Sequence, residues 1–372
     1  MAAFVPNLNR GPSLMLCRTT FLFRLIPAVV ATGSLAACGG AASERGAQPA
    51  ESRAVATGDV STTVPADTGR GARPSPTVAS GALAPNEYGR IPVLEYHVIG
   101  GDKNSLYTRT LESFKADLAD LYRRGYRPIN IAQMLDKDFR DVPAGMSPAV
   151  LVFDDASDSQ FRYLEQNGKL VPDPTSAVGV LLDFAKSHPG WNNRATFCML
   201  NGGAAGHNFF GDGPKFGGQH REWRLQKVKF LADQGFELCD HTLWHAQLNK
   251  YSDAVVQEQI ARNMMGIDSA VAGYKIRTMA LPYGLWPKNR PLAWQGSWTD
   301  PKTGTAHPYK FEAVLEVSGG PARSPYDAAF NAHSITRIEA IGNDIARVLD
   351  NLDKNGTRFV SDGDPSKVSG RK

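Results

Sequence analysis

The sequence predicts an α/β protein built on a parallel sheet, open or closed into a barrel. Three observations carry that expectation. Short apolar runs of strand length alternate with segments whose apolar residues recur at helical spacing, from Ile91 to Leu352. One run, Ala149-Val150-Leu151-Val152-Phe153, is continuously apolar, as a buried strand of such a sheet is. It ends in two adjacent carboxylates, Asp154 and Asp155, and parallel α/β folds collect their chemistry at the carboxyl ends of strands.

The elements follow in order. Ile91-Pro92-Val93-Leu94 reads as a first strand. Leu111, Phe114, Leu118, Leu121 and Tyr122 make one helical stripe that stops at Gly125. Residues 148–153 read as a strand and 178–185 as a helix. Ala195-Thr196-Phe197-Cys198-Met199-Leu200 is a strand; 221–234 is a helix stopped by Gly235; 236–239 is a strand. Helix 253–267, strands 275–280 and 311–317, and helix 340–352 complete the series. The stretch 202–218 is glycine-rich without a phosphate-loop pattern and is expected to shape a cleft rim, and 294–308 reads as an insertion at the other rim.

The chain of 372 residues is long enough for a substantial core, and its formal charge of +4 gives no reason to expect a nucleic-acid surface. Arg18 and Arg24 flank an apolar segment that ends in Leu35-Ala36-Ala37-Cys38. It is too short to span a membrane and has the order of a secretory signal. The ending resembles the lipobox of bacterial lipoproteins, which implies lipidation at Cys38; the alternative is a plain signal peptide that contains this cysteine. From Gly39 to about Tyr88 the chain is Ala, Gly, Ser, Thr and Pro with scattered charges. Such a segment cannot bury enough apolar surface to fold. About fifty residues of it reach roughly 40 Å, at ~5–6 Å × √n. The expected organisation is a signal peptide at 1–37, a flexible tether at 38–88, one folded domain at 89–356 and a tail at 357–372. Cys198 and Cys239 then remain in an export compartment, as a disulfide or as two buried thiols. The six tryptophans all lie in the second half, which suits a sugar-binding cleft slightly better than an ordinary core.

Two like charges side by side at Asp154 and Asp155 raise each other's cost of ionisation unless something positive is near. Phe236-Glu237-Leu238-Cys239-Asp240-His241-Thr242-Leu243-Trp244-His245 offers a partner. Two histidines four apart share a face if a helical turn starts there, and with a carboxylate from another strand tip they make a two-His, one-carboxylate metal site. Ala280-Leu281-Pro282-Tyr283-Gly284 follows another strand as a rigid turn able to aim a backbone N–H at an oxyanion.

In combination these motifs resemble the polysaccharide deacetylases with a NodB-homology domain, carbohydrate esterase family 4. Phe153-Asp154-Asp155-Ala156 is similar to the family's TFDDG, His241-Thr242-Leu243-Trp244-His245 to H-[ST]-x-x-H, and 280–284 to R-P-P-Y-G. The resemblance implies a distorted (β/α) barrel of about seven strands. It implies Asp155, His241 and His245 as ligands of Zn²⁺ or another divalent metal such as Co²⁺ or Ni²⁺. Asp154 would be the general base, and the Tyr283 N–H part of the oxyanion site. Pro92-Val93-Leu94-Glu95-Tyr96-His97 looks like the opening of the exported poly-N-acetylglucosamine deacetylases, which resemble a circularly permuted form with the general acid on the first strand. That implies His97 as the acid, where the plain reading is a satisfied strand-end histidine; His333 is a reserve. Glu95, two residues away on one strand face, is expected to raise the pKa of His97.

Three departures stand out. Gly is Ala156 in the first motif, a small change in size. The third-motif Arg is Ala280, leaving Arg277 or Arg337 to orient the base. The usual C-terminal Leu-x-His is not evident. The implied activity is metal-dependent removal of N-acetyl groups from N-acetylglucosamine in a cell-envelope or exported polysaccharide. The alternatives are O-acetyl ester hydrolysis on the same fold and a glycan-binding lipoprotein without turnover. Expected partners are the polysaccharide and, through the lipid anchor, the membrane of the cell envelope.

Overall fold

The computed structural model describes residues 83–202, 208–211 and 218–370. The signal segment, Cys38 and nearly all of the tether fall outside them, as do 203–207 and 212–217 of the glycine-rich stretch. Among the described residues no helix is long and apolar enough to cross a membrane.

Eight parallel strands carry the fold: β1 (Val93–Tyr96), β2 (Tyr126–Ile129), β3 (Ser147–Asp154), β4 (Thr196–Met199), β5 (Glu237–Asp240), β6 (Thr278–Ala280), β7 (Ala313–Gly319) and β8 (Ile335–Glu339). Seven close a ring in the order β1, β8, β7, β6, β5, β4, β3 and back to β1. The eighth, β2, pairs with the first half of β3, at residues 147–150, while β4 takes its second half at 152–154. The expected barrel is therefore present, with β2 set into its lower wall.

Alternation along β3 explains its apolar run. Ala149, Leu151 and Phe153 face outward into the larger core under the helices; Val150 and Val152 face into the barrel. The outer layer is formed by α1 (Leu111–Arg123), α2 (Ala177–Ser187), α3 (Trp223–Asp233), α4 (Asp253–Ala270) and α5 (Asp344–Lys354). Thr110 caps α1 by accepting from the Ser113 N–H at 3.1 Å. Phe114, Leu118 and Leu121 are its buried stripe, and Gly125, at φ 78°, ends the turn that follows.

Inside the barrel the side chains lie in layers. Near the floor, Glu237 accepts from Thr196 at 3.0 Å, Thr278 at 2.6 Å and the Ala132 N–H at 2.9 Å. Above it Cys198 and Cys239, register partners on neighbouring strands, form a disulfide, which resolves the alternative left by the sequence. The layer above that holds Glu95, Asp154, His241 and Arg337, all buried.

The packed body also runs past both expected boundaries. Asn86 pairs with Val360, Phe359 is buried beside Ile91 and Val93, and Ser147 donates to the Phe359 carbonyl. Residues 357–361 thus belong to the barrel floor, because two apolar side chains there have a core to enter. The insertion differs as well. Gln295–Thr299 and Ala306–Lys310 form an antiparallel hairpin on α4, where Gln257 accepts from the Ser297 N–H at 3.0 Å.

Candidate active site

Six strand-tip residues meet at one mouth of the barrel. Asp154 ends β3 and Asp155 follows it; His241 follows β5, with His245 in the same loop; His97 follows β1; Tyr283 follows β6. Asp155 Oδ1 lies 3.3 Å from His241 Nε2 and 3.4 Å from His245 Nε2. The loop is not the helical turn expected. Thr242 and His245 take left-handed backbone, at φ 66° and 62°, and this brings the two rings to 4.9 Å. Asp155 (φ 76°), Ala156 (51°) and Tyr283 (57°) are left-handed too. Five non-glycine residues in this costly region at one mouth is the clustering that functional sites show. It also means that Ala for Gly at 156 changes backbone energy more than size.

His241 Nδ1 lies 2.8 Å from the Ala280 carbonyl. A carbonyl only accepts, so Nδ1 carries the proton and the Nε2 lone pair faces Asp155. Both Nε2 and Asp155 Oδ1 are buried without a hydrogen-bond partner among the described residues. Two imidazole nitrogens and a carboxylate oxygen, all turned inward with two atoms orphaned, fit a divalent cation with an open coordination position. Without an ion the charges redistribute. Burial opposes protonation of His241, yet Asp154 and Asp155 together raise its pKa. Burial, with His241 adding, pushes His245 down to about 4. Burial would raise Asp155, but the two histidines hold it far below the usual carboxylate range.

Arg337 supplies the fixed positive charge. It is fully buried, with Nη1 at 2.9 Å from both Asp154 oxygens and Nη2 at 3.1 Å from Glu95 Oε1; its Nε–H donates to the Glu316 carbonyl. Arg277 is elsewhere, bound to Asp136 at 2.7 Å and to Glu312. Of the two candidates, the structure brings Arg337 to the base. One guanidinium faces two carboxylates, and they share it unequally. Burial would raise Asp154, but Arg337, then His241 and His97, bring it below its ordinary value. For Glu95 burial wins over Arg337, with Asp154 adding, so its pKa lies well above normal. The same guanidinium thus lowers Asp154 below its ordinary value but does not offset the burial of Glu95. Glu95, His97 and Asp154 also lie close enough to suggest a second metal cluster, but the Arg337 cation already occupies that charge position.

This corrects the expectation for His97. Its Nε2 is 3.5 Å from Glu95, yet its pKa is lowered, by burial, against the pull of Asp154 and Asp155. Burial outweighs the carboxylates around the ring, and Arg337 and His241 add to the lowering. His333 stacks on Trp294 at 4.5 Å, away from this layer, and is not a candidate acid. The tryptophans mostly serve packing. Trp191 and Trp223 are buried core residues, and Trp244 borders the site. Beside His245 a groove of about 560 Å³ is lined by Trp244, Gln247, Lys250, Tyr251 and Tyr283. Sequence reasoning missed Tyr107, which is exposed across the mouth with its ring 5.1 Å from His97. It sits in a loop with no periodic signal.

Residues 148–294 match the family model described as polysaccharide deacetylase. No curated protein matches the chain. Among solved structures, the Streptococcus pyogenes deacetylase PplD in complex with acetate is 17% identical, over 70% of this chain and 97% of that one, with a TM-score of 0.49. IcaB from Ammonifex degensii is 15% identical, over 72% and 98%, also at 0.49. The BpsB deacetylase domain from Bordetella bronchiseptica is 18% identical, over 69% and 97%, at 0.44. The matched segment contains both aspartates, the histidine pair and the Pro282-Tyr283-Gly284 turn, and it is over that segment that the chain is similar to polysaccharide deacetylases.

Proposed function

We propose that this protein removes N-acetyl groups from N-acetylglucosamine residues of a cell-envelope or exported polysaccharide, releasing acetate. The observation that carries the reading is the pairing of two neighbours. An orphaned Asp155–His241–His245 trio suited to a metal lies beside an Asp154 held ionised by Arg337. Asp155, His241 and His245 would hold Zn²⁺ or a similar divalent ion, which when bound supplies Lewis-acid polarisation of the acetyl carbonyl and acidifies water. Asp154 accepts a proton from the attacking water, its Oδ2 lying 3.9 Å from His241 Nε2. Arg337 keeps that carboxylate charged and aimed. The Tyr283 N–H, on its left-handed turn, donates to the oxyanion. His97 passes a proton to the departing amine.

Both His97 and Arg337 lie outside the segment 148–294, which supports the permuted arrangement, with the acid on the first strand and the base's arginine on the last. A fixed arginine at the base also removes the motive for a glycan binder without turnover. Exposed Tyr107, against His97 at the tip of β1, and exposed Tyr283, in the turn after β6, flank the mouth from strands well apart in the ring, an arrangement suited to the two faces of a passing sugar chain. The LAAC sequence supports anchoring of an exported lipoprotein through Cys38. The test is acetate release from N-acetylglucosamine oligomers by metal-stripped protein, with and without added Zn²⁺. Metal-dependent release that Asp154→Asn abolishes is the expected result. No release from oligomers or peptidoglycan, despite metal binding, overturns the reading.

A further inference from the structure

The loop that carries the histidine pair is shaped by a helix that contributes no ligand. In α4, Gln259 and Asn263 are four residues apart and so share a face. Both are fully buried among Val256, Ile260 and Ile267. Burying two amides in an apolar stripe is costly unless their polar atoms are used. Here Gln259 Oε1 and Asn263 Nδ2 bind the loop after β5 and its base, while Gln259 Nε2 and Asn263 Oδ1 have no hydrogen-bond partner among the described residues. The Gln259 backbone carbonyl accepts from the Leu243 N–H at 2.9 Å, and its side-chain Oε1 accepts from the Trp244 N–H at 3.2 Å. Asn263 Nδ2 donates to Asp240 Oδ2 at 3.0 Å and to the Met199 carbonyl, at the end of β4, at 2.8 Å. Asp240 Oδ1 in turn accepts from the Thr242 N–H at 2.8 Å, and Thr242 Oγ1 from the Ala246 N–H at 3.2 Å.

Every residue between the two histidines is therefore held by a polar contact that leads back to α4 or to Asp240. The loop needs this support. It contains left-handed Thr242 and His245, conformations that persist only when the surroundings dictate them. Gly266, one turn further along α4, allows the close approach: a Cβ there would lie 1.8 Å from the Asn201 side chain beyond β4.

We propose that Gln259 and Asn263 are positioning residues of the metal centre, holding residues 240–246 in the one conformation that sets His241 and His245 on Asp155. The inference rests on the metal-site reading above. Its test uses the full chain, stripped of metal and titrated with Co²⁺, with affinity and the visible ligand-field spectrum as readouts. Gln259→Met and Asn263→Leu keep side-chain bulk; the first removes the acceptor of the Trp244 N–H and the second the donor to Asp240 and Met199, while the backbone bond from Leu243 to Gln259 remains. Ile260→Val, on the same helix and buried, controls for loss of helix packing, and thermal melts of the metal-free proteins match the variants for stability. The expected result is a loss of about 10–100-fold in Co²⁺ affinity with an altered spectrum for the two amide variants, little change for Ile260→Val, and near-complete recovery in Gln259→Glu, which keeps the acceptor. Should Asn263→Leu fail to fold, Gln259→Met set against Gln259→Glu decides alone. Wild-type Co²⁺ binding that His241→Ala destroys but the amide variants leave unchanged overturns this inference only. Absence of Co²⁺ binding by the wild type, or binding indifferent to His241→Ala, overturns the metal reading itself.

Discussion

Replacing Arg337 with methionine keeps an unbranched apolar stem and removes the guanidinium from a layer that otherwise holds Asp154, Glu95 and His241. The guanidinium nitrogen lies 2.9 Å from each Asp154 oxygen. At that distance and an effective dielectric of 20 the gross attraction is about 6 kcal/mol. Burial of both groups opposes it, and Asp154 can escape part of the loss by taking up a proton. The expected destabilisation is about 3–5 kcal/mol, as for other broken buried pairs. The sign of the pH effect follows from the same geometry. Asp154 titrates below its ordinary 3.8 in the folded chain, so its ionisation stabilises the fold above that value, and the benefit is lost as pH falls through the folded pKa. Without Arg337, burial dominates and the pKa of Asp154 rises. The acidic limb of the pH–rate profile then moves to higher pH, and below it the variant loses the base's contribution, about 10²–10⁴-fold. Urea unfolding and acetate release between pH 4 and 9 measure both effects, on the order of the ranges just given. A variant that loses less than about 1 kcal/mol and keeps the wild-type acidic limb refutes the role assigned to Arg337.

Other outcomes follow from single contacts. Glu95→Gln should leave the upper pH–rate limb nearly unchanged, because burial and not Glu95 sets the direction of the His97 shift; a lowered upper limb would restore the view that Glu95 charges His97. Gly284→Ala places a Cβ 2.7 Å from Val317 at φ 64°, so thermal melts should show a loss of about 2–3 kcal/mol. The Cys198→Ala, Cys239→Ala double variant opens a link spanning 41 residues. The chain-entropy relation puts its cost at about 4 kcal/mol, and denaturant midpoints would show it. His245 titrates near 4 in the metal-free fold instead of 6.5. The His245 contribution to metal-free stability should therefore be complete above pH 6.5 and decline as pH falls towards 4, opposite in sign to that of His241; a His245→Ala variant with the wild-type pH dependence of melting temperature across that window would contradict the burial of His245.

Much of the scaffold was legible because burial on both faces leaves a plain mark. The apolar runs of β3, β4 and β5 and the stripe of α1 appear where alternation and helical spacing place them. Two strands were not legible. β2 is only four residues, one of them Pro128, a residue that argues against a strand. β8 carries Arg337 and Glu339 where a core strand would show apolar residues, since its inward face lines the site instead of filling the barrel. The strand hardest to read is the one that supplies the base's partner.

By itself the sequence determined the candidate site residues and the strand tips that present them, because motif and periodicity are local properties of the chain. It left Arg277 and Arg337 equal, read Glu95 as a charged neighbour of His97, and expected a helical turn between the histidines. The tertiary structure decided each of these. Which arginine reaches Asp154, which two carboxylates share it, and what holds a left-handed loop in place all depend on groups far apart in sequence. Burial and distance set those answers, and neither exists until the barrel closes.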